Sequence, residues 1–387
     1  MRIAIFSDHF HPELGGIQDA VDCLARGLAA RGHEIDIYVP RYSPKEYRRA
    51  GAPLREPDLG PSISIHRQAS IPYRSSSLQT RVILPSYTPI SLMKHRRPDI
   101  IHSHTVFGLG LAALAAARFW GVPLVATYHM AMAVNATYVP ANLLKNFTAY
   151  VRWYLNQCDF VSAPAGFVFE ELGSNLRPRH QVISNSIDLD LFSAPGPGPS
   201  AAAHKHPTLI YAGKFAQEKR VDLLVAGLQK VRETIPEATL SLAGHGDQQG
   251  KLNELAQALN IKDSVHFTGT LDKKQLAHAY QASDIFVSMS DSEVQSVSQM
   301  QAMACGLPVV CAMRKDGTDS ASPADQGIIP VAPNAVDDFA NAIKRLVAKP
   351  QMRSEMSKLA ASAMQPYSIA SISAQWELQY AEVAERA

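Results

Sequence analysis

The strongest constraint in this chain is an alternation that stops once and then starts again. In the first half, short β-rich apolar runs are separated by helical patterns: RIAIFS, EIDIYVP, PDIIHSH, PLVATYH, DFVSAP and HQVISNS. The helical pattern is clearest over residues 17 to 31, where Ile17, Ala20, Val21, Leu24 and Leu28 recur at helical spacing. Near-continuous apolar strands with helices between them predict a parallel sheet covered on both faces. The stretch SAPGPGPSAAAHKHP, residues 193 to 207, has no periodicity and reads as a linker. After it the alternation resumes with TLIYAG, ATLSLAG, SVHFTG, DIFVSMS and LPVVCA, and helices run from about 336 to the end. The expectation is an α/β protein of two tandem doubly wound, Rossmann-like domains facing a cleft. They are a first domain over 1–195, a linker over 196–207, a second domain over 208–365, and a terminal helix over 366–387 that packs back on the first domain. In such open sheets ligands bind beyond the carboxyl ends of the strands.

The length of 387 residues suits two domains, and 46% hydrophobic with 19% charged residues excludes a disordered or fibrous chain. Cys23, Cys158, Cys305 and Cys311 form neither a metal-ligand spacing nor a dense disulfide framework, which points to a reducing, cytoplasmic setting. The opening MRIAIFSDHF lacks the features of a secretory signal, and the longest apolar run, Val106 to Ala117, is too short to span a bilayer. A net charge of +2 does not argue for nucleic acid. Basic residues cluster at Arg48 and Arg49 and from Lys94 to Arg97. Solvated loops and helix ends explain them, and an anionic membrane surface or acidic acceptor is the sharper alternative.

Several stretches carry possible chemistry. Gly15 and Gly16 stand just before the first helix, where backbone N–H groups make an anion seat, although a glycine turn at a strand-to-helix junction is more often just a turn. The pattern is not G-x-G-x-x-G, which counts against a dinucleotide-dependent dehydrogenase. YAGKFAQEKRVDLL places Lys214 just after Gly213 at a strand end and Lys219 at the start of the next helix. Two such ammonium groups suit a diphosphate, and a pair of exposed lysines is the alternative. Gly244, Gly246 and Gly269 lie in further turns that either admit a base or ribose or are turn chemistry alone. Among the strand-end histidines, His129 and His104 are better placed to reach a ligand than His102, which sits inside its strand. DLD at Asp188 to Asp190 looks like a metal-binding acid pair but lies in a turn after VISNS, where helix capping is the favoured role. The chain has no nucleophile elbow and no His/Cys cluster of metal-ligand spacing.

DSEVQSVSQMQAMACG sets Glu293 eight positions before Gln301, a helical spacing that would put a carboxylate and an amide on one face. Residues 141 to 157 align Leu143, Leu144, Phe147, Tyr150, Val151, Tyr154 and Leu155 along one helical stripe. The stripe is either core or, with Lys145 and Arg152 beside it, a membrane-facing surface.

Taken in order, GGIQ, HSHTVFGLGLAALAAA, VATYH, VISNSIDLDLF, YAGKFAQEK, LAGHGD and SDSEVQSVSQMQAMACGLPVV resemble the retaining nucleotide-sugar glycosyltransferases of the GT-B fold, family 4-like, over almost the whole chain. TYHMAMAVNATYVP and the amphipathic segment after it are most similar to the branch that acts on lipids such as diacylglycerol. The resemblance implies a nucleoside-diphosphate sugar donor, most often UDP-linked, held mainly by the second domain, with no metal or other cofactor and with the first domain on the acceptor side. It implies that Lys214 and Lys219 hold the diphosphate, with Gly15 and Gly16 approaching it, and that His129 touches the donor sugar. Glu293 would meet sugar hydroxyls and Gln301 the ribose. Gly213, Gly244, Gly246, Gln295, Ser296 and Val297 complete the implied donor set.

Three positions depart from the family pattern. Lys214 stands where an arginine is usual and lacks its bidentate fork. Gln301 replaces a glutamate, and Ser186 replaces the glycine of an NG turn, where a left-handed residue is harder to place. The implied chemistry is front-face transfer to a hydroxyl of a lipid, a polyprenyl-linked sugar or a glycan, at the cytoplasmic face of a membrane. A sugar-nucleotide epimerase on the same fold and a non-catalytic subunit are the competing readings.

Overall fold

The computed structural model describes residues 1–13, 15–50, 52–72, 81–83, 88–94, 96–131, 141–173, 175–194, 207–290, 293–313 and 326–386. They form two compact units, Met1–Ser186 together with Ile369–Ala387, and Ile187–Ser368.

The first unit carries β1 (Arg2–Phe6), β2 (Glu34–Pro40), β3 (Ile63–Gln68), β4 (Ser70–Pro72), β5 (Arg81–Ile83), β6 (Ile100–Ser103), β7 (Leu124–Thr127), β8 (Phe160–Ala163) and β9 (Arg179–Val182). Seven of these make one sheet in the order β3-β2-β1-β6-β7-β8-β9, every pair parallel. Strands β4 and β5 form a separate antiparallel pair. Strands β6, β7 and β8 are buried along their full length, as helices on both faces require. Helix Gly16–Ala30 packs closely on the terminal helix Ile369–Ala384, since a Cβ at Gly27 would stand 1.9 Å from Ser373 Oγ.

The second unit carries β10 (Thr208–Ala212), β11 (Thr239–Ala243), β12 (Val265–Gly269), β13 (Ile285–Ser288), β14 (Val309–Ala312) and β15 (Ile328–Val331). Their order is β12-β11-β10-β13-β14-β15, again all parallel. Numbered along their own sheet, these strands run 3-2-1-4-5-6, the doubly wound order whose direction of winding reverses between the first and fourth strands. The reversal falls between β10 and β13 here, and between β1 and β6 in the first unit. Leu209, Leu224, Leu240, Ile285 and Phe339 are completely buried in one of this unit's cores. Each such side chain contributes about 1.5–3 kcal/mol through burial.

Two doubly wound parallel sheets are the fold class that the alternating runs imply. The units divide after Ser186 rather than at 195. Ile187 N–H donates to Tyr367 O at 2.8 Å, and Phe192, 1% exposed, belongs to a second-unit core. Likewise the terminal helix begins at Ile369, since residues up to Ser368 belong to the second unit. The expected linker over 196–207 lies, but for Pro207, outside the described residues. Strands β3 and β15 are additions to the sequence reading. Both are sheet edges, one half-exposed along most of its length and the other interrupted by Pro330, a residue tolerated on an edge because it donates no ladder hydrogen bond.

Candidate functional site

The second unit brings two distant sequence stretches together at its reversal point. After β10 the chain passes through Gly213 and Lys214 and makes one 3-10 turn, Gln217–Lys219, before helix Val221–Arg232. Lys219 therefore precedes that helix rather than opening it, with left-handed Arg220 (φ 48) between them. After β13 a loop leads to helix Val297–Ala304, which Ser296 caps by accepting from Gln299 N–H at 3.3 Å. Because β10 and β13 are neighbours, the two loops leave the same carboxyl edge side by side. There Lys219 Nζ donates to Glu293 Oε1 at 2.7 Å, both side chains partly open to solvent. Ser290 Oγ donates to Glu218 O at 3.4 Å and ties the loops together.

The surroundings are charged. Tyr211 is pushed well above the usual phenol range by burial and then by the carboxylates of Glu293 and Glu218. Burial, and then the Lys214 ammonium, lower His245, whose Nδ1 shares a hydrogen bond with Thr270 Oγ1 at 2.9 Å. Lys214 and Lys219 thus lie in one loop, the first within electrostatic reach of His245 and the second bonded to the Glu293 carboxylate. Such an edge can receive a diphosphate on its ammonium groups and a polyhydroxylated ring on Glu293.

The glycines of this unit divide differently from expectation. A Cβ at Gly244 would lie 2.0 Å from Gly213 O, and one at Gly246 would lie 2.3 Å from Phe215 O. Gly244 also has φ +135. These two are required by backbone packing of neighbouring loops, with Phe215 N–H donating to His245 O at 2.9 Å. That is the turn-chemistry alternative. The single-face arrangement of Glu293 and Gln301 is corrected. Glu293 lies in the loop, while Gln301, 4% exposed, is inside the helix that starts only at Val297. Val297 is itself a core residue, and Gln295 is half-buried in the loop. Ser186 carries no left-handed conformation. Outside glycine the positive φ angles among the described residues fall at Arg220, Asn260 and Asn334. Asp188 accepts from Leu191 N–H at 3.3 Å, the capping role read from the sequence.

The first unit has its own polar edge at the β1/β6 reversal. Asp8, two residues beyond β1, accepts from Thr105 Oγ1 at 2.7 Å and from Leu109 N–H at 2.8 Å. Burial nevertheless raises its carboxyl above the ordinary range. His9 Nδ1–H donates to Glu13 Oε2 at 2.9 Å, and Tyr42 Oη donates to the same oxygen at 3.2 Å. The sequence reading passed over these residues. Their signal was position, immediately after the first strand of a doubly wound sheet. Gly15 is the N-cap of helix Gly16–Ala30 in an extended conformation, and a Cβ there would meet nothing within 4 Å. No neighbour among the described residues demands a glycine at that point.

The three histidines separate only in part as their strand positions imply. His102 is fully buried, with Nδ1 sharing a hydrogen bond with Tyr380 Oη and Nε2 one with Thr127 Oγ1, each at 2.7 Å. Buried His104 and half-buried His129 meet, Nδ1 to Nε2, at 2.9 Å. Burial lowers all three, His102 and His129 to about 3. In helix Ala141–Leu155, Val151, Tyr154 and Leu155 are core, while Leu143 and Trp153 are each 49% exposed. Phe107 stacks on Tyr150 at 5.0 Å beside this exposed face. Of the basic clusters, Arg96 pairs with Glu34 at 3.0 Å and Arg97 donates to Gly121 O at 3.3 Å, which fits loop and helix-end roles. Among the described residues no group of three or more His, Cys, Asp or Glu side chains is placed to hold a metal. None of their helices is long and apolar enough to cross a membrane.

Comparison with known proteins matches residues 14–191 to the model of Glycosyltransferase Family 4 and residues 197–363 to that of Glycosyl transferases group 1. Among curated relatives, the alpha-monoglucosyldiacylglycerol synthase of Streptococcus pneumoniae is 27% identical over 323 residues, covering 80% of this chain and 70% of its own. Among solved structures, the sucrose-phosphate synthase of Thermosynechococcus elongatus superposes over 100% of both chains with TM-score 0.80 and 21% identity. Anabaena HepE, solved with UDP-glucose, covers 99% of this chain and 100% of its own with TM-score 0.75 and 16% identity. Both likenesses show the shared fold.

Proposed function

The chain belongs to the GT-B glycosyltransferases, Family 4 in its first half and group 1 in its second, and on that premise we propose that it moves a hexose from a UDP-sugar to a hydroxyl of a lipid acceptor with retention of anomeric configuration. The observation that carries this reading is the Lys219–Glu293 contact of 2.7 Å at the reversal point of the second sheet. It joins a diphosphate-binding cation to a hydroxyl-accepting carboxylate at the edge where doubly wound sheets bind ligands. The relative named for a diacylglycerol product and the neighbour solved with UDP-glucose support the choice of acceptor and donor. The exposed Leu143, Trp153 and Phe107 support work at a membrane surface, and we place the protein peripherally on the cytoplasmic face.

In this reaction the acceptor oxygen bonds to the anomeric carbon on the face from which the nucleotide departs. The bond from that carbon to the phosphate oxygen breaks, its electron pair leaves with UDP, and the hydroxyl proton passes to a phosphate oxygen. Lys214 and Lys219 stabilise the charge that grows on the diphosphate, so neither a divalent ion nor another cofactor is required. The diphosphate competes with Glu293 for Lys219, which frees the carboxylate for sugar hydroxyls. Lys219→Ala should lower turnover at least about tenfold, and EDTA should leave the wild type unchanged. Unchanged turnover in the variant would remove the assignment, and an epimerised UDP-sugar formed without acceptor would replace it.

A further inference from the structure

His104 and His129 are coupled in a way that constrains where their protons sit. His104 follows β6 directly and His129 stands two residues beyond β7, so these neighbouring parallel strands deliver both rings to one carboxyl edge. The ring planes lie 17° from parallel with centroids 5.2 Å apart, so the two imidazoles meet end to end through their nitrogens. Their one hydrogen bond joins His104 Nδ1 to His129 Nε2 at 2.9 Å. The other nitrogen of His104, Nε2, is buried without a hydrogen-bond partner among the described residues, and the side chain is 4% exposed. His102, with its ring centroid 4.2 Å from that of His104, offers no help. Its Nδ1 is committed to Tyr380 and its Nε2 to Thr127.

A neutral imidazole carries one N–H and one bare nitrogen, so a bond between two neutral rings has two possible directions. If His129 Nε2–H donates, His104 must hold its own proton on Nε2, leaving a buried N–H without an acceptor. If His104 Nδ1–H donates, what remains buried is only a bare acceptor. Orphaned buried N–H groups are the rarer and costlier case. We propose that His104 is a positioning residue whose Nδ1–H fixes the tautomer of His129, so that His129 presents Nδ1–H as a neutral donor to a hydroxyl oxygen of the sugar ligand at this edge. The identity of the ligand rests on the glycosyltransferase reading, whereas the tautomer does not. Burial lowers both rings far below neutrality, which keeps the pair in the neutral state the argument needs. His129 thereby acts as a hydrogen-bond donor and not as a general base.

The test is long-range proton–nitrogen correlation on the full chain with labelled histidine, with His129 assigned by the signals lost in His129→Gln. The proposal expects Nδ1-protonated His129 in the wild type. In His104→Phe, which keeps a planar ring but has no donor, His129 should move toward the Nε2-protonated form and kcat should fall about tenfold with UDP affinity unchanged. His104→Asn, whose amide N–H stands close to the place of Nδ1–H, should restore the tautomer and much of the rate. An Nε2-protonated His129 in the wild type, or a tautomer identical in wild type and His104→Phe, overturns the proposal. Predicted tautomers in a protein that transfers no sugar would uphold the positioning role and defeat the functional reading instead.

Discussion

The buried histidines make the first unit sensitive to acid in a calculable way. His102 is 0% exposed, both its nitrogens are engaged, and burial lowers it from 6.5 to about 3. Between those two values the unfolded chain binds a proton that the native state refuses, so stability rises with pH and is lost as pH falls below 6.5. Each pH unit in that window costs about 1.4 kcal/mol per ring, and pH 5 therefore removes about 2 kcal/mol relative to pH 8. His129, lowered to about 3, adds a similar loss, and His104 acts in the same direction. His102→Gln has no titrating ring at this position. Whatever the substitution costs at pH 8, that cost should shrink by about 2 kcal/mol at pH 5. Urea unfolding followed by tryptophan fluorescence reads this unit selectively, because Trp120, Trp153 and Trp376 all lie within it. Parallel pH dependences for wild type and variant would refute the argument.

Two further outcomes follow from packing and exposure. Gly227→Ala places a Cβ 2.4 Å from the Phe339 ring in a helix contact of the second unit, and should lower its thermal stability by about 1–3 kcal/mol; an unchanged midpoint would show that the helices separate freely. Vesicles rich in anionic lipid should sediment the wild type at low salt and retain less of a Leu143→Ser, Trp153→Ser double variant, and no binding at low salt would remove the membrane reading.

The alternating strands were readable because β6, β7, β8, β13 and β14 are buried on both faces and so consist of continuous apolar runs. The edge strands β3 and β15 escaped because neither is such a run: one is exposed in part, and the other contains a proline. At the candidate site, spacing singled out Lys219 and Glu293 as separate candidates but not as a contact, since they are 74 residues apart and meet only because β10 neighbours β13. Helical spacing misled where Ser296 starts a helix three residues after Glu293. The glycine turns at 244 and 246 carried no mark of the backbone that would press on them. For the histidines, strand position matched burial only in part: the ring inside β6 is core, His129 beyond β7 is half-buried, and His104 beyond β6 is buried at 4% exposure. Asp8 had no motif around it, and its setting depends on Thr105 and Leu109, which approach from the far side of the winding reversal.

The central claim is sugar transfer from a nucleoside diphosphate at the Lys219–Glu293 edge, and its most direct test is a product assay. Wild type and Lys219→Ala are incubated with UDP-sugars and diacylglycerol-containing vesicles, and lipid products and released UDP are quantified together by mass spectrometry. The account predicts a hexosylated lipid formed in equal amount to UDP by the wild type, and at least about tenfold less of both by the variant. No hexosylated lipid from any UDP-sugar, or equal yields from both proteins, would contradict it.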